Sequence, residues 1–144
     1  MVNTPLSSKS FRILVADQQI SQRSLIVREL TALGYFRIAT ASNFREMVTL
    51  THYNPEATGR FDLLVVNAEL IGKTGVDPRD FCLHNSRLRH VLIYEPKRKH
   101  YRSRTFSEHA RQQLRLIRAI DGAELRDFLS TIDPDFEVAR PHSG

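Results

Sequence analysis

Short apolar runs alternate along the chain with stretches whose apolar residues recur at helical spacing. The clearest run, LLVV at Leu63 to Val66, is apolar throughout, as in a strand buried on both faces of a sheet. Similar runs predict further strands at Phe11–Ala16, Phe36–Ala39, Val91–Tyr94 and, more weakly, Leu114–Ile117. The pattern therefore predicts five strands.

A helical stretch follows each predicted strand. After the first, Ile26, Leu30 and Leu33 share one helix face, and Gly34 stands where helices commonly stop. Capping signals predict where the later helices begin. These signals are Asn43 with Glu46, Asp77 with Pro78 before a helix at Phe81–Leu88, Thr105 with Glu108 before a polar helix, and Asp121 with Glu124. The last helix has an apolar stripe of Leu125, Phe128, Leu129 and Ile132.

Five repeats of strand then helix predict an α/β fold: a doubly wound, five-stranded parallel sheet of the flavodoxin-like type, covered by helices on both faces. We place this domain at residues 11–132, after an N-terminal extension at 1–10 and before a C-terminal tail or linker at 133–144. Ligands in such folds bind beyond the carboxyl ends of the strands. Those ends carry Asp17, Asn67, Glu95 and Arg118.

Composition agrees with one globular domain. The chain has 144 residues, of which 41% are hydrophobic and 26% charged, so disorder is expected only at the ends. No apolar run approaches the roughly 18 residues of a membrane span, and the first ten residues lack the apolar core of a secretory signal. Because Cys82 is the only cysteine, an internal disulfide is excluded, and we expect a cytoplasmic protein.

Four segments resemble the receiver domain of bacterial response regulators, in the family's order and at similar spacing. They are ILVADQQ at Ile13–Gln19, FDLLVVNAEL at Phe61–Leu70, VLIYEP at Val91–Pro96 and RLIRAIDGAEL at Arg115–Leu125. The resemblance covers roughly Phe11–Ile132. It implies a CheY-like (βα)5 fold, a role in two-component signal transduction and protein partners.

The phosphorylation pocket that the resemblance implies is altered here. In the family, two acids end the first strand, the phosphoacceptor aspartate ends the third, a hydroxyl residue ends the fourth and a lysine ends the fifth. Asp17 keeps the first acidic position, whereas the other four positions differ. They hold Gln18, Asn67, Glu95 and Arg118, with Ala119 in place of the following proline.

These replacements change the chemistry that the pocket can perform. Phosphoryl transfer to the domain requires a carboxylate nucleophile, which the amide of Asn67 does not supply. It also requires Mg²⁺, which prefers several carboxylate oxygens. Arg118 could instead pair with Asp17 or Glu95. We therefore expect a degenerate pocket without phosphorylation, metal, cofactor or catalytic residues.

Two other interpretations of these residues stay open. Asn67 could cap the end of a strand and Asp17 could form a turn, with no functional role. Alternatively, Asp62 or Glu69 could accept phosphate in place of Asn67. Asp62 stands at the start of its predicted strand and Glu69 two residues past the end, so we disfavour both as acceptors.

A basic segment follows the fourth predicted strand and holds much of the chain's formal charge of +5. Its candidate partner-binding residues are Lys97, Arg98, Lys99, Tyr101, Arg102 and Arg104. It is either a solvated loop without a role or a site for an anion: an acidic protein, a nucleic acid or a phosphorylated small molecule. The last helix is an alternative partner surface, through Arg126 or the apolar Phe128 and Leu129, although the two apolar residues are expected to face the sheet.

The sequence thus favours a non-enzymatic, phosphorylation-independent receiver domain that acts as a protein-interaction module in signal transduction. The alternative is a basic nucleic-acid- or nucleotide-binding regulatory module on the same fold. A metal centre is not expected, because the six histidines are scattered, and Cys82 with His84 supplies only two ligands.

Overall fold

A computed structural model describes residues 9–52, 60–85, 87–96, 104–106 and 113–136. The strands are β1 Lys9–Ala16, β2 Tyr35–Ala41, β3 Phe61–Asn67, β4 Leu88–Tyr94, β5 Arg104–Phe106 and β6 Leu114–Ile117. The helices are α1 Ile20–Ala32, α2 Phe44–His52, α3 Ala68–Gly72, α4 Pro78–Leu83 and α5 Gly122–Ile132. None of these helices is long and apolar enough to cross a bilayer.

The strands form one sheet in the order β2-β1-β3-β4-β6-β5. The first five in this order are parallel, and the short edge strand β5 runs antiparallel to β6. The predicted doubly wound, five-stranded parallel sheet is therefore confirmed. The strand order reverses direction at β1. The connections that follow β1 and β3 therefore pass over opposite faces of the sheet, which opens a crevice at the carboxyl ends of these two strands.

Apolar side chains pack on both faces of the sheet, as the uninterrupted runs predicted. In β3 every residue except Asp62 is buried, and in β4 every residue except Arg89. One core joins the sheet to α1 and α5, and the other joins it to α2, α3 and α4. Phe128 and Leu129 are fully buried in the first core, so the expectation that they face the sheet is confirmed.

Three local expectations differ from the structure. A strand at Arg104–Phe106 occupies the place where a helix was predicted to begin at Thr105, because Thr105 and Phe106 pair with β6 and suit a strand. Glu108 lies outside the described residues. The helix predicted over Phe81–Leu88 begins at Pro78 and ends at Leu83, since Leu88 already pairs in β4. The short helix α3 was not predicted.

Packing extends beyond the domain end that was predicted at Ile132. Asp133 and Phe136 are both buried, and the Tyr35 hydroxyl donates a hydrogen bond of 2.6 Å to Asp133 Oδ2. Burial and this carboxylate raise the pKa of Tyr35, so the hydroxyl remains a donor. The start of the predicted tail therefore belongs to the folded domain and ties α5 to β2, whereas residues 137–144 lie outside the described part.

His90 is a buried titratable group at the amino-terminal end of the sheet. Its ring stacks on Phe11 with 6.5 Å between centroids, and its Nδ1 accepts the Gln113 N–H at 3.1 Å. Nε2 is buried without a hydrogen-bond partner among the described atoms. Burial, helped by the neighbouring Arg89, lowers the pKa of His90 to about 4. The fold therefore holds this ring neutral.

We expect acid to destabilise the domain through His90. Above pH 6.5 the ring is neutral in both the folded and the unfolded chain; below it the unfolded chain gains the proton and the folded one does not. The free energy of unfolding should fall by about 3 kcal/mol as the pH drops from 6.5 to about 4. Urea unfolding of His90→Asn, which keeps an acceptor for Gln113, should lack most of this loss. The exposed His84→Asn should keep it; equal acid sensitivity in both variants would contradict the assignment.

Candidate functional site

The carboxyl ends of β1, β3 and β4 bring three polar side chains together. Asp17 directly follows β1, Asn67 ends β3 and Tyr94 ends β4. Register pairs place Asn67 beside Tyr94 and Ala16 beside Val66, so the three strand ends lie level at one edge of the sheet. This edge is where a ligand site was predicted.

Asp17 is the centre of the cluster, and its side chain is fully buried. Oδ2 accepts hydrogen bonds from the Tyr94 hydroxyl and from Asn67 Nδ2, the latter at 3.2 Å. Oδ1 accepts the Gln19 N–H at 2.8 Å. Both carboxylate oxygens therefore already have donors from neutral groups of the protein, as a buried carboxylate requires.

Tyr94 was missed in the sequence analysis, which singled out its neighbour Glu95. Burial, followed by the hydrogen bond to Asp17 and the charge of Asp17, raises the pKa of Tyr94. The phenol thus stays protonated and donates to the carboxylate. A tyrosine at the end of an otherwise apolar strand was the available signal, because a buried hydroxyl needs a polar partner.

Asn67 has two structural roles at once. Its Nδ2 donates to Asp17, while its Oδ1 accepts the Glu69 N–H at 2.9 Å and caps α3. The sequence left open whether Asn67 caps the end of a strand or belongs to the pocket, and in the structure it does both. An amide suits both tasks because it donates and accepts, whereas an ionised carboxylate only accepts.

The other predicted pocket residues lie around this cluster without entering it. Gln18 Nε2 donates to Glu69 Oε1 at 3.3 Å, while Glu95 is half-buried and lines a separate cavity of about 310 Å³. Arg118 is exposed. The Asp17 carboxylate accepts hydrogen bonds from Gln19, Asn67 and Tyr94 and not from Arg118, while the alternative pairing of Arg118 with Glu95 stays a prediction.

The residues present do not fit Mg²⁺. The cation prefers several carboxylate oxygens, and this cluster offers one carboxylate whose oxygens accept three hydrogen bonds. Across the described ranges, no group of three histidine, cysteine, aspartate or glutamate side chains is placed to hold a metal. Chemically, the arrangement is a buried carboxylate that is hydrogen-bonded within the protein.

A groove beside the cluster was also missed in the sequence analysis. Arg23 of α1 reaches across with Nη1 2.7 Å from the Asp17 carbonyl oxygen, which it contacts as a donor. From there the arginine faces an open groove of about 630 Å³ between α1, β2 and α2. The groove is lined by Arg23, Thr40, Ser42, Arg45, Glu46, Thr49 and Leu50.

The basic segment cannot be placed at this site. Of its candidate residues, those from Lys97 to Arg102 lie outside the described residues, and Arg104 is described only by its backbone in β5. The fold nevertheless fixes where the segment starts, since Pro96 follows β4 at the carboxyl end of the sheet. Its role as a partner surface stays a prediction.

Comparison with solved structures identifies the fold. A response regulator receiver domain protein from Bacillus halodurans matches with a TM-score of 0.53 and 20% identity, over 92% of this chain and 98% of that one. The N-terminal domain of a response regulator/sensory box/GGDEF protein from Carboxydothermus hydrogenoformans matches with a TM-score of 0.59 and 17% identity, over 88% and 97%. No protein-family model and no curated protein matches the chain.

These likenesses define the class of fold: a CheY-like, flavodoxin-type receiver fold, as the sequence predicted. At these identities the likeness reaches no further than the fold, so the chemistry of this chain rests on its own residues.

We expect Tyr94→Phe to destabilise the domain by about 1–3 kcal/mol, because the buried Asp17 carboxylate loses a donor. Asp17→Asn should reduce the loss caused by Tyr94→Phe, since an amide needs the phenol less than a carboxylate does. Urea unfolding of both single variants and the double variant measures this coupling. Strictly additive losses would show that the two side chains do not stabilise each other.

Proposed function

We propose that this chain is a phosphorylation-independent receiver domain. In this proposal it is not an enzyme but a signal-transduction module that acts by binding a protein partner. The observation that carries the proposal is the buried carboxylate of Asp17, hydrogen-bonded to Asn67 and Tyr94 where a phosphorylation site would need free carboxylates. The receiver fold supports the signalling part of it.

The geometry supports loss of phosphorylation in two ways. Asn67 presents an amide where the family's nucleophile would stand, and its oxygen is engaged by the Glu69 N–H. Asp17 would have to give up the Tyr94 hydroxyl and the Asn67 amide before it could bind a cation. Binding a cation at Asp17 and freeing the Asn67 oxygen would each break buried hydrogen bonds. The cost of breaking them opposes metal binding as well as phosphoryl transfer.

Acetyl phosphate with Mg²⁺ should add no phosphoryl mass to the protein, as checked by intact-mass spectrometry. Asn67→Asp alone should not restore efficient phosphorylation, because Gln18 still replaces the second acid and Glu95 the hydroxyl residue of the pocket. Millimolar Mg²⁺ should leave the melting temperature of the native protein almost unchanged, since a ligand stabilises only a state that it binds.

Three results would each contradict this proposal. They are a phosphorylated aspartate or glutamate in the native chain, full phosphorylation of Asn67→Asp, and a clear rise in melting temperature with Mg²⁺. A receiver domain with an intact acidic pocket, treated in parallel, is the positive control for the phosphodonor.

A second candidate is a nucleotide-binding regulatory module, which the groove beside Asp17 favours. Arg23 and Arg45 supply guanidinium groups suited to phosphate, and Thr40 and Thr49 add hydroxyls. Glu46 opposes an anion there. Hydrogen bonds from the Ser42 N–H and hydroxyl, at 2.7 and 2.9 Å, lower the pKa of Glu46 and keep it charged. This opposing charge makes nucleotide binding the second choice.

Calorimetric titration with ADP and with inorganic pyrophosphate tests the groove. If it binds phosphates, Arg45→Gln should weaken binding about two- to fivefold, the loss expected for one exposed ion pair. Arg28→Gln, which removes an exposed arginine of α1 that does not line the groove, should change nothing. Undetectable binding, or equal losses in both variants, would remove this candidate.

A further inference from the structure

A row of charged side chains crosses the amino-terminal end of the sheet, opposite to the Asp17 cluster. Each of the four strands β2, β1, β3 and β4 contributes one residue to the row. In spatial order the row is Arg37, Arg12, Asp62 and Arg89. We call these four residues the arginine row.

Strand register aligns the row across four strands. Arg12 of β1 pairs directly with Arg37 of β2. On the other side of β1, Ile13 pairs with Leu63, which sets Arg12 beside Asp62. The pairs of β3 with β4 on either side of Asp62 set it beside Arg89. Residues paired in this way point to the same face of a sheet.

Asp62 organises the middle of the row. Its Oδ2 accepts the Arg12 backbone N–H at 2.8 Å, and its Oδ1 lies 3.9 Å from Arg89 Nη1. The Arg12 guanidinium lies over the Phe61 ring, 5.0 Å from its centroid. The Asp62 charge is therefore used within the domain, while three arginines surround it.

The two ends of the row face solvent. Arg37 is exposed, and among the described residues its Nη1 donates to the Ser10 carbonyl oxygen at 3.4 Å. Of the Arg89 side chain, 37% is exposed. Three arginines and one aspartate give the row a formal charge of +2. Arg60 and Arg87, which precede β3 and β4, add two further positive charges beside it.

Arg115, near the start of β6, is an arginine whose charge is paired within the domain, and it serves as a comparison for the arginine row. Its Nη1 lies 2.6 Å from Asp127 Oδ2 of α5, and its guanidinium covers the Phe128 ring at 4.9 Å. Only 14% of its side chain is exposed. The ends of the arginine row have no comparable carboxylate among the described residues, apart from the long contact of Arg89 with Asp62.

We propose that the arginine row is a docking surface for an acidic, extended segment of a partner protein. Three strand spacings separate Arg37 from Arg89, about 14 Å. An extended peptide spans nearly the same distance between residues i and i+4, whose side chains point to one face. Two acidic residues four positions apart can therefore reach both ends of the row, with uncharged residues between them facing Asp62.

The order of charges favours a peptide over a nucleic acid. A continuous phosphate backbone crossing the row would have to pass the Asp62 carboxylate, whereas a peptide can place a neutral residue there. The inference that the partner is a protein rests on the proposed function, whereas the basic surface is inferred from the strand register and the exposure of its arginines alone. The row also lies at the opposite end of the sheet from Pro96, after which the basic segment begins, and none of its four residues belongs to that segment.

Fluorescence anisotropy with labelled peptides tests the proposal at low salt. The matched peptide has two glutamates four positions apart in a threonine background, and the mismatched peptide has them three apart, on opposite faces of an extended chain. The matched peptide should bind about two- to fivefold more tightly, the difference of one exposed ion pair. A single-stranded oligothymidine of comparable length is the third probe.

The double variant Arg37→Gln/Arg89→Gln should weaken binding of the matched peptide about fivefold or more. The double variant Arg28→Gln/Lys73→Gln removes the same charge from exposed positions on α1 and just after α3 and should change it by less than about twofold. Circular dichroism should show both variants folded, since surface substitutions usually cost less than about 0.5 kcal/mol each.

No binding of the matched peptide, equal losses in the two double variants, or no preference between the two peptides would overturn the proposal. Tighter binding of oligothymidine with a steep salt dependence would assign the surface to nucleic acid instead. Repeating the titration after treatment with acetyl phosphate and Mg²⁺ keeps the two proposals apart. Phosphorylation detected by mass would contradict the proposed function. Absence of binding by the matched peptide, without phosphorylation, would contradict only the docking role of the arginine row.

Discussion

The carboxylate of Asp17 is the constraint on which the site depends, because it is fully buried in the crevice of the sheet. A buried carboxylate without partners is strongly unfavourable, so its surroundings must supply donors. Here they come from three different parts of the chain: the Tyr94 hydroxyl, the Asn67 amide and the Gln19 backbone N–H. The donors are all neutral groups of the protein, and their hydrogen bonds stabilise the carboxylate in the place where a cation would otherwise balance its charge.

This requirement also joins neighbouring elements. Asn67 donates to Asp17 while capping α3, and Arg23 of α1 donates to the Asp17 carbonyl oxygen. The ends of β1, β3 and β4 and the starts of α1 and α3 thus share one hydrogen-bond network. In such a network the loss of one member leaves the others partly unsatisfied, so its residues are coupled energetically. This coupling supports the proposal that the pocket does not act as a phosphorylation switch.

Charge is arranged differently at the two ends of the sheet. At the carboxyl end, the buried charge of Asp17 is covered by neutral groups. At the amino end, Arg37 and Arg89 keep solvent-facing guanidinium groups at a spacing set by the strands themselves. Because a sheet is rigid, that spacing is preorganised, and little ordering is needed before a partner meets it. The regular backbone therefore supplies recognition geometry at the end of the fold away from the crevice.

The fold was readable from sequence because a buried parallel strand must be apolar on both faces, as LLVV at Leu63 to Val66 is, and each crossover needs a helix. The same reasoning found Asp17 and Asn67, since polar residues at strand ends stand out against apolar runs. It missed Tyr94, because an aromatic side chain continues the apolar pattern and only the position of Asp17 gives its hydroxyl a role. It likewise missed the arginine row, because a charged residue within a single strand gives no sign of its neighbours. Only register, which depends on contacts between distant segments, aligns the four residues.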